Sequence, residues 1–153
     1  MLSLSTPDFL WFVDQALGEM SRIVDGLGDE LANRRPDVPG ANSPYAIVTH
    51  CLGVMEFWGG SMIAGRSIDR DRPAEFVATG PVAGLHDRVT EARRQLERDL
   101  SDLDALAPPR GVIEDEDDPV SQTQGSVALH MYEELVQHLG QMELSRDVIV
   151  AGS

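Results

Sequence analysis

Late in the chain, the stretch LHMYEELVQHLGQ from Leu129 to Gln141 places His130, Glu134 and His138 four residues apart. On a helix, residues at that spacing stack along one side. Two imidazoles and a carboxylate in a row are donors for a divalent cation, and they also suit a solvated helix flank. Spacing alone leaves both readings open. At about 100° per residue, Val127, Met131, Leu135, His138, Met142 and Ser145 share one side, with Glu134 beside them. His130 falls further round, at the rim, where it is expected to flank the site and orient Glu134 by a hydrogen bond, with a fourth ligand or a proton shuttle as alternatives. A carboxylate on a core-facing stripe is costly unless it is paired, hydrogen-bonded or bound to metal. The plain alternative for Glu134 and His138 is a partly buried hydrogen-bonded pair.

Two ligands do not complete a mononuclear site, which takes at least three protein donors. Of the remaining histidines, His50 stands on the shoulder of an apolar stripe near Val54 and Phe57, whereas His86 is followed by Asp87 and Arg88 on a polar flank. The expected ligand set is His50, Glu134 and His138. Two nitrogens and one carboxylate oxygen suit zinc, with nickel, iron or manganese as substitutes. No ExxH, HExxH or CxxC motif occurs, which disfavours a ferritin-like di-iron site and the common zinc-protease and thiolate sites. Cys51 adjoins His50 but points about 100° away from it on a helix, so it is expected in the core rather than as ligand or nucleophile.

The elements that must hold these donors read as helices. A Ser/Thr cap followed by Pro7 and Asp8 opens the first, and Phe9, Val13, Leu17, Met20, Val24, Leu27 and Leu31 recur at helical spacing. Ser43-Pro44 repeats the signal before Ile47, Val48, Cys51, Val54, Met55, Trp58 and Met62. The run GRSIDRDRPAEFVATG reads as a polar connection. Pro81 opens a third helix carrying Leu85, Val89, Leu96, Leu100 and Leu103. Prolines and the acidic run Glu114 to Asp118, expected as a solvated loop, separate it from the fourth. The predicted helices cover about 6–34, 44–65, 81–104 and 126–148, with Trp11 and Trp58 in the core. No strand alternation or internal repeat appears. An all-α four-helix bundle in a single domain, 1–153, is the economical solution.

Composition limits the partners. The 153 residues carry 26 acids against 12 bases, a net charge of -14. Such a surface repels phosphate backbones and anionic lipid, so neither nucleic acid nor membrane is an expected partner. A lone cysteine excludes an internal disulfide framework and fits the cytoplasm. The N-terminus lacks a basic region ahead of its apolar run, so no signal peptide is expected. No uninterrupted apolar run approaches the roughly 18 residues of a membrane span.

Taken together, these motifs resemble the DinB-like metalloprotein superfamily, which includes mycothiol-dependent maleylpyruvate isomerases and thiol S-transferases. The resemblance rests on NSPYAIVTHCLGVMEFWGG around His50 and on LHMYEELVQHLGQ around Glu134 and His138. It extends to GANSP, AGR…RDR..EF and HLGQMELSRD, and so to nearly the whole chain. It implies one divalent metal held by the second-helix histidine and the late ExxxH pair. It also implies a small thiol co-substrate, such as mycothiol or bacillithiol, and S-transfer to an electrophile or thiol-assisted isomerisation. Pairing into homodimers is implied too, and an apolar patch on the first two helices would serve it. The sequence ends just after the fourth helix, where full isomerases continue into a further domain, so their exact substrate is not carried over. A hydrophobic pocket near His50 and His138 is expected, with Arg66 and Arg70 as candidate receivers of an acidic group. A non-catalytic metal-binding bundle and a metal-dependent hydrolase are the alternatives.

Overall fold

A computed structural model describes residues 4–112 and 123–153. Its helices are α1 (Thr6–Ala32), α2 (Pro44–Met55), a π-helical continuation of α2 (Glu56–Ile63), α3 (Arg72–Glu75), α4 (Val82–Asp99) and α5 (Gln124–Ala151). No strand occurs among the described residues. The acidic run Glu114 to Asp118 lies outside them.

Local chemistry fixes the helix starts. Ser5, Ser43 and Asp71 each accept a hydrogen bond from the backbone N–H three residues on, at 3.1–3.2 Å. Each is followed by a proline in the first turn, where no N–H is needed. Thr123 and Ser126 cap α5 reciprocally, so that helix begins ahead of the predicted 126. Gly28, with φ of 69°, kinks α1 near its end, and α1 stops at Ala32. α4 ends at Asp99, short of the predicted 104.

Side-chain pairs give the directions. Asp29, Asp25 and Asp14 of α1 meet Val82, His86 and Arg93 of α4, so these two helices are antiparallel. Thr49 and Arg66 meet Arg88 and Asp99, so α4 runs parallel to α2. His50 and Trp58 meet His138 and His130, so α5 runs antiparallel to α2. The bundle is therefore up-down-down-up, and around it the helices follow in the order α1, α5, α2, α4. A parallel pair needs a long crossover, and the segment carrying α3 supplies it, lying on the outside of α2.

Aliphatic and methionine side chains fill the centre: Val13, Leu17 and Met20; Ile47 and Met55; Leu85 and Leu96; Met131, Leu135 and Met142. Each large one buried contributes roughly 1.5–3 kcal/mol before entropy is counted. α2 is buried on nearly every side. With its π-helical continuation it is long and apolar enough to cross a membrane, a property that counting uninterrupted runs missed, yet 72% of that window is buried inside the bundle.

Two expectations are corrected. Trp11 is 57% exposed rather than core, because Leu10 and Val13 take the inward positions beside it. Trp58 is half-buried against the core, as expected. An apolar patch shared by the first two helices does not form, since α2 has no free face; the exposed aromatics Trp11 and Phe12 belong to α1 alone.

Candidate metal centre

The groove between α2 and α5 brings His50, Glu134 and His138 together. Each offers one donor atom, and these atoms lie within 4.8 Å of one another. Glu134 Oε2 is 3.9 Å from His50 Nε2 and 3.5 Å from His138 Nε2. His50 is buried at 2% exposure, while the Glu134 and His138 side chains keep 30% and 22% of theirs. The centre is closed on the α2 side and open on the α5 side.

The donor chemistry fits a cation. His50 Nδ1 lies 2.7 Å from Glu75 Oε2, and His138 Nδ1 lies 3.0 Å from Gln141 Oε1. Both oxygens are acceptors, so each ring donates through Nδ1 and leaves an Nε2 lone pair turned toward Glu134. Burial, the largest influence, pushes the His50 pKa down against the opposing pull of Glu75. The neutral imidazole is the form that ligates metal.

His130 stands beside Glu134 with 21% of its side chain exposed. Its Nε2 is 3.6 Å from Glu134 Oε1, its Nδ1 is 3.3 Å from Glu133 Oε2, and its ring stands edge-on to Trp58 at 4.8 Å. Thus His130 and His138 flank Glu134 along α5, one turn to either side. His86 pairs with Asp25 of α1 at 2.6 Å on a polar flank. Cys51 is fully buried, and burial pushes its thiol well above the ordinary range. That keeps it protonated and unsuited to attack.

Arg66 and Arg70 are not open cations. Arg70 grips Glu75 with two hydrogen bonds of 2.7 and 2.9 Å, and its Nη2 lies 3.5 Å from His50 Nδ1. Arg66 grips Asp99 in the same way at 2.9 and 2.9 Å. Both line a cavity of 530 Å³ between α2, its π-helical continuation and α4. Its wall includes Glu75, Gln95 and Asp99 but none of the three convergent donors. This charged cavity lies on the opposite flank of α2 from the hydrophobic pocket expected beside His50 and His138.

Glu75, which meets His50 Nδ1, is the site neighbour the sequence reading missed. It sits in what read as a polar connection, yet it is 8% exposed. Burial acts to raise its pKa, but hydrogen bonds from Arg70 and then His50 hold it below the usual carboxylate range. The sequence signal was present: Asp71-Arg72-Pro73 repeats the cap-and-proline start seen at Ser5 and Ser43, announcing a helical turn that ends on Glu75. Gln141 was equally legible, one turn after His138 on the same side.

No curated protein matches the chain. Residues 8–151 match the family model described as Mycothiol-S-transferase. That match runs from the first turn of α1 to the end of α5 and takes in every residue of the α2–α5 cluster, and on it the chain belongs to the mycothiol S-transferase family, within the DinB-like helical bundles.

Proposed function

We propose that the protein is a metal-dependent enzyme that uses a low-molecular-weight thiol of the mycothiol type, either for S-transfer to an electrophile or for thiol-assisted isomerisation. His50, Glu134 and His138 would hold one divalent cation, zinc being the best match to two nitrogens and an oxygen. The observation that carries this reading is the convergence of those three donors, from two separate helices, within 4.8 Å. A divalent cation held there supplies Lewis acidity, which favours the ionised form of a thiol.

Magnitudes set what the rest of the chain must do. A thiol of ordinary pKa near 8.5 is about 3% ionised at pH 7, so full ionisation gains at most roughly 30-fold. A lowered pKa also lowers intrinsic nucleophilicity. Most of the acceleration must come from holding thiol and electrophile together. The open α5 side of the centre, rimmed by His130 and Trp58, is where both would approach. Arg66 and Arg70, spent on Asp99 and Glu75, are poor receivers for an anion. The reducing cytoplasm is the compartment proposed, since the buried Cys51 is free.

The test is metal content and mycothiol conjugation measured side by side on wild type, His50→Ala and His138→Ala. The proposal expects about one cation per chain and thiol-dependent turnover, both lost in each variant. Bound metal without thiol turnover would move the assignment to a metal-binding bundle or a hydrolase. Unchanged metal affinity in His50→Ala would remove the three-donor centre.

A further inference from the structure

The His50 ring is gripped from three directions. Glu75 meets its Nδ1 edge at 2.7 Å, Phe76 stacks on its face at 4.4 Å, and His138 stands edge-on at 4.6 Å. Glu75 is itself held by both nitrogens that Arg70 points at it. Arg70 lies 5.7 Å over the Phe57 ring, with only 17% of its side chain exposed. The chain Arg70–Glu75–His50 is thus mostly buried, and each carboxylate oxygen of Glu75 has a defined partner.

This chain of contacts needs a notch in α2. A Cβ placed on Gly53 would overlap Glu75 Oε1, stand 2.7 Å from Glu75 Cδ and reach 3.2 Å from Arg70 Nε. Gly53 is helical, so its left-handed freedom is not in use. Its missing side chain is what admits the pair. A helix ordinarily loses roughly 1 kcal/mol for glycine in place of alanine. That loss is offset here by seating a buried carboxylate against the one histidine that α2 contributes.

We propose that Glu75 and Arg70 form a positioning unit for His50. Glu75 accepts a hydrogen bond from Nδ1–H and so fixes the tautomer with Nε2 free. Arg70 fixes Glu75, and Gly53 provides the recess in which both lie. The inference rests on the metal-centre reading for its purpose, though its first effect, the tautomer, exists without any cation. It gives the crossover helix α3 a role beyond linking parallel helices: α3 delivers Glu75 to the back of the centre.

Two measurements on the full chain decide it. The first is long-range proton–nitrogen NMR of the metal-free protein, with the His50 signals assigned by their absence in His50→Gln. Wild type should show the Nδ1–H tautomer. Glu75→Ala should lose that preference, and Glu75→Gln, whose amide oxygen still accepts, should restore it. The second is cobalt(II) titration followed by its visible absorption. Glu75→Ala and Gly53→Ala should each weaken binding roughly 10- to 100-fold, the cost of removing a partner that orients a ligand. Arg70→Ala should fall between those variants and wild type, and Arg66→Ala should bind as wild type does.

An unaltered tautomer in a folded Glu75→Ala protein would overturn the proposal. So would cobalt affinity within twofold of wild type in both Glu75→Ala and Gly53→Ala. Should Glu75→Ala fail to fold, Gly53→Ala and Glu75→Gln carry the same comparison. If wild type takes up no cobalt, the metal reading fails, and the tautomer still decides whether Glu75 positions His50.

Discussion

α2 has two flanks, and they differ in what their polar groups do. On the α5 flank, three donor atoms gather within 4.8 Å, and two histidines each have one nitrogen engaged and one turned to Glu134. On the α4 flank there is a cavity of 530 Å³ lined by charged side chains, yet its buried carboxylates Glu75 and Asp99 are already satisfied by Arg70 and Arg66. Cavity size and charge therefore point one way, and unsatisfied coordinating capacity points the other. The proposed chemistry follows the second. The flanks meet at Glu75, which borders the cavity through one face and supports His50 through the other.

The sharpest test of this contrast is removal of a donor. His138→Ala should weaken zinc or cobalt binding by more than the roughly 100-fold expected for a supporting residue, read by calorimetric titration. Arg66→Ala makes the reverse demand. It leaves the Asp99 carboxylate, 6% exposed, with Gln95 as its remaining partner. Folding stability should drop by about 1–3 kcal/mol in urea denaturation, with metal affinity unchanged. If Arg66→Ala weakens the metal as His138→Ala does, the two flanks are not separate.

A smaller effect should appear with pH in the metal-free protein. The His50 pKa is lowered, so as pH falls the unfolded chain protonates first, near 6.5, while the folded chain resists. The stability His50 contributes is thus complete above about 6.5 and is lost below it. Glu75, also lowered, contributes above its ordinary value of 4.5 and fails in stronger acid. Thermal melts from pH 8 to 2 should decline in two stages, with the upper stage missing in His50→Gln. Smallest of all, Trp11→Ala on the exposed face of α1 should change stability by under about 0.5 kcal/mol.

Much of this architecture could be read from residue order. Cap-and-proline pairs placed the starts of α1 and α2, and the four-residue spacing on α5 picked out Glu134 and His138. His50 was found because it stands beside an apolar stripe. What stayed hidden has a common cause. Glu75 and Asp99 are buried because arginines neutralise them, and hydropathy registers the charge without the partner. The parallel course of α2 and α4 depends on how the crossover drapes, which no local pattern encodes. Trp11 was misplaced because size and apolarity outweighed its position off the stripe that Val13 and Leu17 define.

The two helices that supply the donors enter the sequence far apart: His50 comes in the first half and Glu134 close to the end. An ion bridging them would close a loop of more than half the chain, so it would act as a reversible cross-link as well as a reagent. At a free concentration 100 times its Kd, such an ion adds about 2.7 kcal/mol to the folded state. Chelators would then loosen the whole bundle and not only silence the centre, and the melting temperature would report metal supply.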